Sequence, residues 1–119
     1  MTRVILILSA LFIQLAASAG AQAQSFTVTA GEHADFTRIV VQGPIADDWS
    51  IGTTGRQREL ALGTALARID LSGVFDRIPR SRLAALRAIA NGLSIELACD
   101  CDIQTWLDRP GLLILDIRS

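Results

Sequence analysis

The sequence predicts a mainly β protein, folded as a small β-sandwich of about six to eight short strands with one short helix. Three features of the chain favour this fold. Apolar and polar residues alternate with a period of two in several segments, as they do in strands with one buried face. β-branched residues concentrate in residues 36–42, and glycine, proline, asparagine and aspartate separate the successive segments.

The first half of the domain is expected to form short strands joined by turns. Each predicted strand is a run of alternating or β-branched residues that ends at a turn signal. Gly43-Pro44 is one such signal, because proline cannot donate to a sheet. Residues 65–71 fit either a strand or an irregular segment. The predicted strands are residues 26–30, 36–42, 49–51 and 58–62.

One helix is expected at residues 79–90. Pro79 suits the first turn of a helix, and Asn91-Gly92 is typical of a helix end. Apolar residues recur between them at helical spacing, namely Leu83, Leu86 and Ile89. The polar face of this helix carries candidate binding residues, which either hold an anion or face solvent as surface arginines usually do: Arg80, Arg82 and Arg87.

A period of two resumes after Gly92 and continues to Gln104, which predicts one long strand. A turn is expected near residues 108–111, where aspartate, proline and glycine occur together. Residues 112–117 are apolar apart from one aspartate, which predicts a strand inside a sheet. The long strand has an inward face made of Leu93, Ile95, Leu97, Cys99, Cys101 and Ile103.

Residues 1–23 have the features of a cleavable secretory signal peptide. Arg3 supplies the positive start, residues 4–19 are mostly apolar, and Ala21-Gln22-Ala23 matches a small-x-small cleavage site. The apolar run is shorter than the roughly 20 residues that span a membrane. We therefore expect a periplasmic or secreted protein in which residues 24–119 form a single β-rich domain, with no stable membrane insertion after cleavage.

Charge and residue types exclude several classes of function. The formal net charge is −1, which gives no reason to expect nucleic acid as a partner. With one histidine, no tyrosine and no hydrolase or metallopeptidase motif, the sequence favours a protein that is not an enzyme and needs no cofactor. His33 lies between Glu32 and Asp35, but such a segment is more typical of a polar hairpin tip than of a metal site.

Cys99 and Cys101 are the only cysteines, and an oxidising compartment favours a bond between them. In a regular strand their Cα atoms would lie about 6.6 Å apart. Disulfides prefer roughly 5.5–6 Å, so a bond requires a bend or bulge at Asp100. Three interpretations stay open: an internal disulfide, two buried thiols, or a redox-active or metal-binding Cys-x-Cys pair.

Trp106 is out of phase with the predicted inward face of its strand. It is therefore either part of the packing or an exposed ring, and an exposed tryptophan favours binding of a ligand or partner. Trp49 follows two aspartates, and two acids at a turn beside a core tryptophan explain that segment without a ligand.

Two segments resemble a known family. Residues 36–41, FTRIVV, are similar to the F-x-R-(V/I)-V-(L/V) opening strand of AMIN domains, and residues 112–117, LLILDI, to their closing L-V-L-D-(I/L) strand. AMIN domains are β-domains that precede cell-wall amidases and some secretins. The resemblance implies a non-catalytic sandwich that binds the cell wall, with Arg38 as the one polar position to carry over. The predicted helix and the Cys-Asp-Cys segment depart from the family pattern.

The chain also resembles the start of longer uncharacterised proteobacterial envelope proteins, so a truncated or split product is a further expectation. Three functional hypotheses follow. The first is a periplasmic binding or targeting module whose partner is peptidoglycan or an envelope protein. The second is a small exported thiol–disulfide or metal-handling protein that uses Cys99-Asp100-Cys101. The third is a structural or interaction subunit of an envelope complex, which the sequence does not distinguish from the first.

Overall fold

The computed structural model describes residues 24–119, apart from the side chains of residues 66 and 67. The predicted signal peptide, residues 1–23, lies outside the described part of the chain. Strands occupy most of that part, with one short helix, α1, at Val74–Arg77. The strands are β1 Gln24–Glu32, β2 Phe36–Gln42, β3 Ser50–Thr54, β4 Gln57–Ala61, β5 Leu66–Asp70, β6 Leu83–Ile89, β7 Gly92–Leu97, β8 Asp102–Arg109 and β9 Leu112–Arg118.

The strands form two sheets. A five-stranded sheet has the order β5-β1-β2-β9-β8, and a four-stranded sheet has the order β3-β4-β7-β6. Neighbouring strands are antiparallel except β1 and β5, which are parallel. The predicted mainly β fold is confirmed, with nine strands in the described residues rather than six to eight.

One hydrophobic core lies between the sheets, and it follows from the period of two. In β1, every second residue from Phe26 is buried, while its neighbours are exposed. The five-stranded sheet contributes further buried residues from β2 and β9, and the four-stranded sheet contributes Leu60 of β4 and Leu93 and Ile95 of β7. Both sheets bury one apolar face in the same cluster, which is the arrangement of a sandwich.

The predicted helix at residues 79–90 is wrong, because most of this segment is strand β6, paired with β7. Ala84 is an extra residue in β6, a β-bulge between the pairs Leu83–Leu97 and Ala85–Glu96. The bulge shifts the alternation by one residue, so Leu83 is buried and Leu86, three residues later, also packs against the core. A three-residue apolar spacing therefore arises here without a helix.

The single long strand predicted from Leu93 to Gln104 is also wrong. The chain leaves β7 at Leu97, bends through residues 98–100 and enters β8 at Asp102. Because β7 and β8 belong to different sheets, this segment is a crossover from one sheet to the other. The same alternate positions point into the core before and after this crossover. The period of two therefore continues through it, and the pattern does not reveal that one strand ends and another begins.

The connections confirm several turn predictions. The turn predicted near residues 108–111 joins β8 to β9, and Gly111 adopts a positive φ of 81° there.

The ambiguous segment at 65–71 forms the edge strand β5. The helix α1 that follows is short, and it buries Val74 in the core. Among residues 24–119, no helix is long and apolar enough to cross a membrane.

Candidate functional site

The outer face of the five-stranded sheet carries an unusual set of side chains. In β2, Thr37, Ile39 and Val41 are buried in the core, so Phe36 and Arg38 lie on the opposite face. The strand register places charged and aromatic residues of β9 and β8 beside them. We call this group the aromatic–arginine cluster; it consists of Phe36, Arg38, Trp106, Asp116 and Arg118.

Arg38 and Asp116 form the centre of the aromatic–arginine cluster. They are directly opposite each other on β2 and β9, and the Arg38 Nε and Nη2 atoms donate to the two carboxylate oxygens at 2.8 and 2.9 Å. Asp116 is only 1% exposed, whereas the Arg38 side chain is 38% exposed. The hydrogen bonds that Arg38 donates to Asp116 raise the pKa of the Arg38 guanidinium above its ordinary value. Arg38 therefore caps a buried carboxylate and presents its remaining N–H groups outward.

Aromatic rings surround the two arginines. The Arg38 Cζ atom lies 5.3 Å from the Phe36 ring centroid and 5.6 Å from that of Trp106. Arg118 lies over the Phe36 ring at 4.6 Å, and its Nη2 atom is 3.8 Å from an Asp116 oxygen. These distances fit cation–π contacts. The cluster is thus a half-exposed layer of rings and guanidinium groups over one buried acid.

A cleft of about 570 Å³ adjoins the aromatic–arginine cluster. We call it the β1 cleft, because Thr27 and Thr29 of β1 line it together with residues of the β1–β2 connection, of β2 and of the segment 70–77. Arg38 belongs to both the cluster and the cleft, so the two form one continuous surface. The other polar side chains that line the cleft are His33, Asp70, Ser72 and Arg77.

Asp70 and His33 mark two further features of the β1 cleft. One oxygen of Asp70, Oδ1, accepts hydrogen bonds from the Ser72 hydroxyl at 2.6 Å and from the Ser72 backbone N–H at 3.0 Å. These bonds hold the pKa of Asp70 below its ordinary value of 3.8. The His33 ring stacks on Phe36, with centroids 4.3 Å apart. Asp70 is therefore ionised at neutral pH, and His33 connects the cleft to the cluster.

The structure brings together two of the predicted binding residues, Arg38 and Trp106, but not the three arginines predicted on a helix. Arg82 pairs with Glu32 at 2.8 Å and also donates to the backbone oxygens of His33 and Ala34. Arg80 packs over the Phe75 ring at 3.6 Å and donates to the Ala84 carbonyl. Arg87 is exposed on β6, in the other sheet. The predicted arginine cluster therefore does not exist as a unit.

Cys99 and Cys101 form a disulfide, with their Cα atoms 5.2 Å apart. It lies in the crossover between the sheets, where the backbone bend at Asp100 provides the irregularity that such a bond requires. The Arg56 guanidinium donates to Asp100 at 3.0 Å and to the Ala98 carbonyl at 3.4 Å. No group of three or more potential ligands for a metal ion occurs in the described part of the chain.

Sequence reasoning missed the roles of Phe36, Asp116 and Arg118. A signal for the central pair was present, because Arg38 and Asp116 are single charges of opposite sign in two segments that otherwise read as buried strands. A charge in such a segment needs a partner, so each predicts the other. The aromatic contacts depend on the order of strands in the sheet, which no local pattern contains. No protein-family model, curated protein or solved structure matches this chain.

Proposed function

We propose that this protein is an exported binding module of the cell envelope, which attaches to peptidoglycan through the outer face of its five-stranded sheet. The observation that carries the proposal is the aromatic–arginine cluster, with Trp106 and Phe36 half-exposed beside two guanidinium groups. The two segments that resemble AMIN strands are β2 and β9, the neighbouring strands that hold Arg38 and Asp116.

The chemistry of the cluster suits a polymer of sugars and short peptides. Aromatic faces pack against the C–H groups of sugar rings, and guanidinium groups donate to hydroxyl, carbonyl and carboxylate oxygens. Arg38 uses Nε and Nη2 for Asp116, so its Nη1 group is left for a ligand. Because Asp116 holds Arg38 in place, little side-chain entropy is lost when a ligand binds.

The proposal is tested by co-sedimentation of the protein with purified Gram-negative sacculi. The full chain is expressed in a Gram-negative host and purified in the form that the cell leaves. We expect the unsubstituted protein to sediment with the sacculi, and Trp106→Ala and Arg118→Ala to lose most of this binding. Arg87→Ala is the matched control, because it removes an exposed arginine from the other sheet.

Two results would contradict the proposal. One is sedimentation of the unsubstituted protein no greater than that of an unrelated protein of similar charge. The other is equal binding by Trp106→Ala and by the control variant. Circular dichroism on each variant shows whether a loss of binding reflects a loss of fold. If the partner is an envelope protein instead of peptidoglycan, the protein will not sediment with sacculi. Trp106→Ala and Arg118→Ala will then prevent capture of that envelope protein.

A second candidate function is thiol–disulfide exchange at Cys99 and Cys101. The observation that favours it is a shallow cavity of about 240 Å³, lined by both cysteines together with Arg56 and Arg58. Nearby guanidinium groups stabilise a thiolate, which aids exchange. Equilibration with glutathione buffers, followed by thiol titration, tests this role. A disulfide that stays oxidised across the redox range of the periplasm would instead be purely structural.

A further inference from the structure

The β1 cleft is lined by several charged and polar groups whose donors and acceptors are not all used within the described chain. Arg77, at the end of α1, is exposed and makes no hydrogen bond or ion pair with any residue of the described chain. Arg38 adds the Nη1 group that Asp116 does not use. Two guanidinium groups from different elements therefore face one cleft, and only one of them has an acidic partner.

Neutral and acidic groups complete the cleft. Thr27 and Thr29 are exposed on the outer face of β1, where their hydroxyls make no hydrogen bond within residues 24–119. β1 pairs with β2 on one side and β5 on the other, so its side chains, rather than its backbone, are available to a ligand. Asp70 uses only one oxygen for Ser72, which leaves Oδ2 as an acceptor.

We propose that the β1 cleft binds the free terminal carboxylate of a short peptide, with Arg77 as the main cation. This inference rests on the proposed function in one respect: the peptide that carries the carboxylate is taken to be a stem peptide of peptidoglycan. The unpaired planar guanidinium of Arg77 matches a carboxylate in two parallel hydrogen bonds. The ionised Asp70 repels any anion, and a doubly charged phosphate more strongly than a singly charged carboxylate, while its free oxygen accepts a hydrogen bond from an amide N–H. Carboxylate and amide together describe a peptide end.

The remaining features of the cleft fit the same ligand. Val40 contributes an apolar side chain to the lining, which suits a small side chain such as that of alanine. A cleft of about 570 Å³ lies within the range of roughly 300–1,000 Å³ that small-molecule sites occupy. The threonine hydroxyls both donate and accept, as the amide groups of a peptide require. A ligand could reach from the cleft to the aromatic–arginine cluster through Arg38.

The test is a titration of the full chain, in the form left by the expressing cell, with three tripeptides. The first is an acylated peptide ending in D-Ala-D-Ala with a free carboxylate, the second is its C-terminal amide, and the third is the L-Ala-L-Ala form with a free carboxylate. Calorimetry measures the affinity, and amide chemical shifts of Gly31 and Gly73 report on the site. We expect the free D-peptide to bind about tenfold or more tightly than its amide.

Arg77→Gln is expected to weaken binding of the free D-peptide by about tenfold or more, because it removes the unpaired cation. Arg87→Gln is the control and is expected to bind the peptide as the unsubstituted protein does. Equal affinity for the acid and the amide, or unchanged affinity in Arg77→Gln, would overturn the inference. Preference for the L-peptide would overturn the stem peptide as the source and identify a protein C-terminus.

Failure of this inference is distinguishable from failure of the proposed function. If the tripeptides do not bind but Trp106→Ala still abolishes sedimentation with sacculi, the module binds the wall through its cluster alone and the inference is wrong. If the free D-peptide binds through Arg77 while the protein does not sediment with sacculi, the cleft is a carboxylate site and the proposed function is wrong.

Discussion

Asp116 is a buried charged residue and Arg82 a partly buried one, and each has a partner of opposite charge. Asp116 is on the outer face of a sheet, yet Arg38 and Arg118 cover it almost completely. The Arg82 side chain is 13% exposed and has its charge matched by Glu32. Burial of an unpaired charge costs free energy, so each pair stabilises the fold by matching the charge that is removed from water. Within the described residues, removal of Arg38 would leave Asp116 with only the longer contact to Arg118, and removal of Arg82 would leave Glu32 with only the Thr37 hydroxyl.

Substitution of Arg82 is expected to be much more destabilising than substitution of the other two arginines near it in sequence. Arg82→Ala removes the cation that pairs with Glu32, which then keeps only the Thr37 hydroxyl as a donor among the described residues, and it leaves two backbone carbonyls without the Arg82 guanidinium. We expect the free energy of unfolding to fall by about 2–3 kcal/mol. Arg80→Ala removes an exposed cation–π contact and one exposed hydrogen bond to the Ala84 carbonyl, which water can replace, with an expected loss of about 1 kcal/mol or less. Urea denaturation measures both.

Arg87→Ala is the control in this series, with an expected change within about 0.5 kcal/mol, because the side chain is exposed and unpaired in the described structure. Equal losses for the three variants would contradict the different roles that the structure gives them. A loss for Arg87→Ala as large as that for Arg82→Ala would do the same.

The titration of Asp70 is a second prediction for a single residue. Its pKa is expected to lie below 3.8 in the folded protein, and Ser72→Ala is expected to raise it towards 3.8, since the hydroxyl is the largest cause of the shift. A lowered pKa means that ionised Asp70 stabilises the fold above its unfolded pKa, and that this stabilisation is lost as pH falls through the folded value. Side-chain carboxyl NMR against pH measures the titration. An unchanged pKa in Ser72→Ala would refute the assignment.

The β6–β7 hairpin shows how an element can be misassigned from its spacing. Asn91-Gly92 is typical of a helix end, but here the pair lies at the hairpin connection, where Asn-Gly is also common. Gly92 is the first residue of β7, and its φ is not positive. A Cβ atom there would overlap the Leu60 carbonyl of β4. Gly92 is therefore required by the close approach of two strands rather than by a turn.

Gly92→Ala is expected to lower the free energy of unfolding by about 2–3 kcal/mol, because β4 and β7 must separate to admit a methyl group. Gly52→Ala is the matched control, since a Cβ at Gly52 of β3 meets no atom within 4 Å. That variant is expected to be neutral or slightly more stable. Thermal or urea unfolding measures the stability of the two variants. Equal stabilities would show that the close approach of β4 to β7 does not require a glycine at position 92.

Two sheets joined by crossovers make up the described residues 24–119, and the Cys99–Cys101 disulfide lies in one of those crossovers. The loop that it closes is very short. On the chain-entropy account, a loop of about three residues contributes only about 1.5 kcal/mol. Both sheets share one core, so we expect the fold to survive loss of the bond.

Reduction of the disulfide is therefore expected to lower the free energy of unfolding by about 1.5 kcal/mol without unfolding the protein. The measurement is urea denaturation with and without a phosphine reductant, followed by circular dichroism. The control is the double variant Cys99→Ala/Cys101→Ala, which reductant should not affect. Complete unfolding on reduction would contradict the expectation that the shared core, not the bond, holds the sheets together.

The β class, most strand positions and several turns follow from the amino-acid sequence alone, because they depend on a period of two and on the local preferences of glycine and proline. The sequence also contained both members of the Arg38–Asp116 pair. Three features depend instead on contacts between distant segments: the order of the strands, the strand at residues 83–89, and the change of sheet at Cys99–Cys101. The backbone N–H and C=O groups of a strand form hydrogen bonds with segments that are distant in sequence, and local spacing does not specify which segments those are.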